Sequence, residues 1–199
     1  MWRLLLVGLC FMFGTLHARE LTDLRVYGQP AMTTLYIFTS PDCPHCRDFH
    51  RNVFPELMKK YVNTGRAQIR IVDVPGTERA MAASMLMRCL PENKGYKMME
   101  WLYDTQSRWQ RAKDTEAAFF QYMQRQGMTY DDFKACIGNK QLEAAIKEQR
   151  DNLMALYGVD RWPTIAVPRG KNVKLYRGTD RRNILYGLEQ DFIELKKDK

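Results

Sequence analysis

Leu35-Tyr36-Ile37-Phe38-Thr39-Ser40-Pro41-Asp42-Cys43-Pro44-His45-Cys46 carries an apolar, β-branched and aromatic run into two cysteines separated by two residues. The near-continuous apolar character over 33–39 predicts a strand covered on both faces. Phe49, Val53 and Leu57 then recur near one face of a helix expected over 45–63, with Gly65 ending it. Pro55 falls inside that helix and predicts a kink or break. Residues 67–74 read as the next strand, closed by Pro75-Gly76. Strand, helix, strand at this spacing is a βαβ unit with a right-handed crossover.

The cysteine pair therefore sits where a strand gives way to a helix. Backbone N–H groups and the dipole at a helix N-terminus favour an anion there. The thiolate is that anion, and it is the reactive form in disulfide exchange. A two-residue gap lets both sulfurs meet within one helical turn, with Cys43 exposed at the end and Cys46 one turn in and shielded. Cys43 is then the attacking thiol and Cys46 the resolving one. His45 can stabilise the Cys43 thiolate by charge or hydrogen bond, and Pro44 stiffens the first turn at little cost. Two plainer readings compete. Zinc would need further ligands at close spacing, and no second such pair follows. A purely structural disulfide rarely needs this strand-to-helix placement.

Outward from this unit, residues 24–28 form a weak first strand. From residue 77 to about 157 nearly everything reads helical, with candidate helices at 77–89, 95–103, 115–126, 130–136 and 139–156. Asn139 is a good N-cap for the last of these, and Gly158 ends it. Strands return at 164–167 and 173–176 around a hairpin turn at 168–172, and an amphipathic helix closes the chain over 180–197. The order is β-β-α-β, a helical block, then β-β-α. The fold class expected is α/β, one sheet domain interrupted by an inserted helical subdomain. Its parts are 19–76, the insertion 77–157, and 158–199.

The first residues read as a secretory signal over 1–18, with Arg3 followed by an apolar run over 4–13 that is short for a membrane span. Ala18 is the expected last residue before cleavage, although Leu16 departs from the small-residue rule, and an uncleaved anchor is the rival reading. Leu9 before Cys10 does not fit a lipidation site. Export leaves Cys43, Cys46, Cys89 and Cys136, an even number suited to an oxidising compartment. The bacterial periplasm is the location this predicts. The 199 residues carry a net charge of +8, but the basic residues are spread along the chain and often lie beside acids, as in Lys147-Glu148-Gln149-Arg150-Asp151. That pattern describes a solvated surface and predicts no nucleic-acid partner.

One more segment bears on the cysteines. In Gly158-Val159-Asp160-Arg161-Trp162-Pro163-Thr164, a proline stands directly before a strand, where cis bonds occur. A cis bond there would turn the Trp162 backbone outward as an edge for an extended peptide. Taken together, Phe38-Thr39-Ser40-Pro41-Asp42-Cys43-Pro44-His45-Cys46, the helical insertion and the Gly158-Val159…Pro163-Thr164 segment resemble the DsbA-type thiol–disulfide oxidoreductases. The resemblance covers essentially the whole chain after the signal. It implies a thioredoxin fold with an inserted helical domain, Cys43 as nucleophile, Cys46 as resolving cysteine, and Pro163 as a cis-proline facing them. It further implies no cofactor, reduced or unfolded exported proteins as substrates, and a DsbB-like membrane oxidase as partner.

Two departures stand out. Trp162 replaces the small or β-branched residue usual before the cis-proline. Ile37 stands six residues before Cys43, where many relatives carry a buried acid, so proton transfer would rest on water, His45 or another group. Some DsbA-like proteins have a second disulfide in the insertion, so Cys89 and Cys136 are candidates to pair, with two separate buried thiols as the alternative. His50 reads as a packing or surface histidine rather than a ligand, and Met81, Met85, Met87, Met98 and Met99 as core filling or a peptide groove. Functionally, an oxidase is expected. A disulfide isomerase or reductase is the same-fold alternative, but it resembles dimers built through a large N-terminal domain, for which about fifteen residues after the signal leave no room. A monomer is expected accordingly. The third reading is a redox-inert peptide-binding chaperone.

Overall fold

The structure is a computed structural model that describes residues 25–197. The expected signal at 1–18 and Cys10 lie outside the described residues. Strand β2 (Thr34–Thr39) pairs in parallel with β3 (Gln68–Asp73), from Thr34 opposite Gln68 to Thr39 opposite Asp73. Strand β1 (Arg25–Tyr27) lies antiparallel on β3, β4 (Thr164–Arg169) antiparallel on β2, and β5 (Asn172–Arg177) antiparallel on β4. The sheet order is β1-β3-β2-β4-β5.

Period-two alternation gives the sheet two apolar faces. Leu35, Ile37, Ile69, Ile71, Ile165 and Val167 enter the larger core on one face. Phe38, Val72 and Ala166 enter a smaller core on the other. The expected helix over 45–63 is three pieces: α1 (Pro44–Asn52), α2 (Phe54–Leu57) and a π-helical turn over Met58–Val62. Pro55 is the physical reason, because it has no N–H to return to the carbonyl four residues back and its ring crowds that carbonyl. The chain therefore resets at Val53, whose N–H still closes on the Phe49 carbonyl at 2.8 Å.

The helical block comprises α3 (Glu78–Arg88), α4 (Glu92–Asp104), α5 (Gln106–Arg111), α6 (Thr115–Arg125), α7 (Tyr130–Ile137) and α8 (Lys140–Tyr157). Helix α9 (Arg181–Lys197) ends the described chain. No helix among the described residues is long and apolar enough to cross a membrane. Asn139 caps α8 by accepting from Leu142 N–H at 3.0 Å, and Gly158 ends it in the left-handed region at φ 65°. Helix α4 starts three residues before the expected 95, which places Gly95 inside its first turns. A Cβ there would lie 2.7 Å from the Met87 carbonyl oxygen, so glycine is what lets α4 approach α3. Pro168, Arg169 and Asn172, expected in a turn, belong to β4 and β5. Pro168 lies beyond the stretch of β4 that pairs with β2, so its missing N–H costs that ladder nothing.

The helical block does not fold around a core of its own. Phe119, Met123, Phe133 and Ile146 share the larger core with the sheet and α1. The end of α8 brings Leu153, Met154 and Tyr157 onto the opposite sheet face. Met85, Met87, Met98 and Met99 fill the larger core, and Cys89 and Cys136 join α3 to α7 by a disulfide with Cα atoms 6.3 Å apart. One ionic knot is buried with the apolar residues. Asp73 at the end of β3 binds Arg25 of β1 at 3.1 Å and Arg88 of α3 at 3.1 Å, and its side chain and that of Arg88 are each 1% exposed.

Candidate active site

The sheet register puts the two singled-out segments at one end of the sheet. Phe38 lies opposite Thr164, so the Trp162-Pro163 bend sits across from Thr39 and Ser40, which lead into the cysteines. The Trp162–Pro163 peptide bond is cis. Pro163 is buried, and its carbonyl accepts from Gly178 N–H at 2.9 Å. Trp162 is half-buried and packs against both apolar cores.

Cys43 is the N-cap of α1, with extended backbone (φ −84°, ψ 120°) and Pro44 following it in the first turn. Its Sγ accepts from the Cys46 N–H at 3.4 Å. Its own N–H closes a turn onto the Ser40 carbonyl at 3.2 Å. The loop is braced further by the Ser40 hydroxyl, which donates to the Asp42 carboxylate. Cys43 is half-buried and His45 exposed, while Cys46 is fully buried and accepts from Ser40 N–H at 3.4 Å. Both cysteines are free thiols.

These surroundings split the two thiols apart. A hydrogen bond from the Cys46 thiol lowers Cys43 most; the N–H groups of Cys46 and His45 and the His45 charge add to it, against the opposing effect of burial, and the result is about 6. Burial, and then the neighbouring Cys43, push Cys46 far above the ordinary thiol range. One sulfur is thus ready as a thiolate at neutral pH, and the other is held protonated behind it.

Ile37 is fully buried, so the site has no carboxylate at that position. The buried carboxylate on the adjacent strand is Asp73, opposite Thr39, and it is committed to its two arginines. What stands near Cys46 instead is a hydroxyl and a ring. Thr39 Oγ1 and the Tyr103 hydroxyl are 2.8 Å apart, and the Thr39 hydroxyl favours ionisation of Cys46. His50 Nε2 is 3.4 Å from the same Thr39 oxygen, and its ring is stacked on Tyr103 at 4.2 Å. Burial first, and the Arg25 charge second, hold His50 down to about 3, so the ring is neutral. His50 is a packing histidine, one of the two roles the sequence allowed.

Gln106 and Gln110 were not legible as site residues. Both lie on α5, and both donate side-chain amides to carbonyls of the loop that carries Cys43. Helix α5 itself was not foreseen, because Gln-Ser-Arg-Trp-Gln-Arg has a single apolar residue and no apolar period. The i, i+4 spacing of two glutamines around Trp109 is the only local signal it offers. Among the described residues, no group of three or more His, Cys, Asp or Glu side chains is placed to hold a metal ion.

The family model described as Thioredoxin matches residues 21–175. The chain belongs to the thioredoxin family. Solved structures with the same fold include alpha-DsbA1 of Wolbachia pipientis, with a TM-score of 0.78 at 19% identity, covering 89% of this chain and 95% of that one. DsbA of Chlamydia trachomatis follows with a TM-score of 0.66 at 19% identity, covering 88% and 92%. The thioredoxin fold with a DsbA-type helical insertion is therefore the fold of this chain. Curated relatives from Rickettsia conorii and Rickettsia prowazekii, named as candidate protein-disulfide oxidoreductases, are 26% identical over 110 residues. The match takes in 55% of this chain and spans 40% of those relatives' length.

Proposed function

We propose that this chain is a thiol–disulfide oxidoreductase of the DsbA-like oxidase kind, acting through a Cys43–Cys46 dithiol/disulfide on reduced exported proteins. The observation that carries the reading is the split pair itself: a Cys43 thiol drawn down to about 6 at a helix N-cap, backed by a fully buried Cys46. Stabilising the thiolate stabilises the reduced enzyme, which makes the disulfide form the stronger oxidant. That electrostatic bias favours oxidation of substrates over their reduction.

A substrate thiolate attacks Cys43 Sγ of the enzyme disulfide, the S–S bond breaks, and Cys46 leaves as a thiolate that takes up a proton. A second substrate thiolate then attacks the substrate sulfur of the mixed disulfide and displaces Cys43 as its stabilised thiolate. Two electrons pass from the substrate dithiol to the enzyme, and a new substrate disulfide forms. His45 supports the Cys43 thiolate by its charge when protonated, and Pro44 fixes the start of α1. The backbone at Trp162 offers an edge for an extended peptide, and the Trp162 indole narrows what fits beside the sulfurs. No cofactor is needed. In this reading residues 1–18 export the chain to the periplasm, it works as a monomer, a DsbB-like membrane oxidase returns Cys43 and Cys46 to the disulfide, and 77–157 is the insertion between the halves 19–76 and 158–199.

The test compares purified protein, with its cysteine pair oxidised, on a reduced unfolded substrate and on a scrambled-disulfide substrate. Rapid oxidation of the first, lost in Cys43→Ser, is the expected outcome; Cys46→Ser, which has no pair to oxidise, instead accumulates mixed disulfide with the scrambled substrate, whose disulfide its Cys43 thiolate opens and no second thiol resolves. Activity confined to the scrambled substrate would overturn the oxidase assignment. Undiminished function of Cys43→Ser would overturn redox catalysis altogether.

A further inference from the structure

We propose that Gln106 and Gln110 are positioning residues that set the acidity of Cys43 from the helical insertion, by fixing which backbone groups face its sulfur. The inference rests on Cys43 being the nucleophile and goes beyond it to what controls that nucleophile.

Three consecutive carbonyls on the approach to α1 are held by side-chain amides from α5. Gln106 Nε2 donates to the Pro41 carbonyl at 2.8 Å and to the Cys43 carbonyl at 3.0 Å. Gln110 Nε2 donates to the Asp42 carbonyl at 2.7 Å. A buried amide must find partners or bear its desolvation cost, and at 1% exposure both N–H donors of Gln106 are spent on this loop. The two glutamines are one helical turn apart and so lie on the same side of α5.

Helix α5 is itself pinned. The Trp109 indole N–H donates to the Leu102 carbonyl at 2.8 Å, and the Thr115 hydroxyl to the Trp109 carbonyl at 3.0 Å. Arg79 of α3 adds a bond to the Gln110 carbonyl at 2.6 Å. The clamp is a short rigid helix tied to three of its neighbours.

Its consequence is electrostatic. A carbonyl bonded to α5 is turned toward α5 and cannot swing its partial negative charge to the Cys43 sulfur. The Cys43 carbonyl is shared between Gln106 and the Arg47 N–H at 3.1 Å, so the first turn of α1 is held with the Cys46 N–H aimed at Sγ. The Cys46 thiol and the Cys46 and His45 N–H groups all donate to the sulfur, the arrangement that favours a thiolate. Losing the clamp frees the carbonyls and loosens the N–H contacts. Cys43 then becomes a weaker acid, although no residue that touches its sulfur has been substituted.

The experiment measures the pH dependence of Cys43 alkylation in reduced protein carrying Gln106→Met or Gln110→Met, which keep bulk and remove the donors. Circular dichroism and thermal midpoint report folding in the same samples. The expected result is an acid constant for Cys43 weakened about threefold to tenfold, up to roughly one pKa unit, and more for Gln106 than for Gln110. Gln110→Glu, an ionised acceptor without a donor, weakens it at least as much as Gln110→Met. Folded variants whose Cys43 titrates within about twofold of the wild type would overturn the proposal. Should Gln106→Met not fold, the half-exposed Gln110 decides the question alone. A wild-type Cys43 that titrates as an ordinary thiol overturns the functional reading and this one together. A lowered wild-type value with unmoved variants overturns only the clamp.

Discussion

Replacing Asp73 by alanine takes one anion away from two buried cations. Three charge-assisted hydrogen bonds disappear: Oδ1 with Arg25 Nη2 at 3.1 Å, and Oδ2 with Arg88 Nε at 3.2 Å and Nη2 at 3.1 Å. The guanidinium groups cannot shed their charge, and they have little water to turn to, since their side chains are 8% and 1% exposed. Arg25 Nε already lacks a hydrogen-bond partner. Breaking a buried pair this way costs about 3–5 kcal/mol, because an uncompensated charge stays in the interior. At about 2–4 °C per kcal/mol for a chain of this size, the melting midpoint drops by roughly 6–20 °C. In urea, with a slope near 2 kcal/mol per molar, the midpoint moves down by about 2 M. Equilibrium denaturation with both cysteine pairs held in one redox state measures it. A loss below about 1 kcal/mol would refute the assignment of Asp73 as the buried counter-ion that ties β1 and α3 to β3. Arg25→Met, Asp73→Leu and Arg88→Leu combined recover most of the loss, because the knot itself is worth little against an apolar replacement of equal volume.

Two further outcomes follow from the geometry. Cys89→Ala with Cys136→Ala opens a loop of 47 residues and lowers stability by about 4 kcal/mol, read by denaturant titration, with the Cys43 titration unmoved. His50→Phe flattens the acid side of the stability curve. In the folded protein His50 is held down to about 3, so between its unfolded value near 6.5 and that point only the unfolded chain takes the proton, and stability falls as pH falls. Unfolding free energies compared at pH 7 and pH 5 show a smaller decrease in the variant than in the wild type, and equal decreases would count against a ring held neutral in the fold.

Much of this molecule is written in short-range pattern. The near-continuous apolar run at 33–39 and the alternating run at 67–74 specify strands, and the proline-glycine signal after the second specifies where it stops. Pro55 breaks its helix through a missing N–H and a ring clash, effects that reach only four residues back. Asn139 and Gly158 bracket α8 by bonds within a single turn. The groups that touch the Cys43 sulfur are local as well, since the Cys46 thiol and the N–H groups that lower it belong to the next three residues. These features follow from neighbours along the chain.

Other features needed the chain to be folded. Nothing near Asp73 in the sequence announces Arg25, 48 residues away, as its partner. The exchange partner of Cys89 was open between a disulfide and two separate thiols until α3 and α7 were brought together. Gln106 and Gln110 lie in a polar segment without an apolar period, and only docking α5 on the cysteine loop turned them into donors for its carbonyls. Apolar periodicity records which face of an element is buried, so the sequence by itself determined the strands, most of the helices and the reactive pair. Which polar groups meet in the interior depends on desolvation forcing distant donors and acceptors together, and that the tertiary structure alone decided.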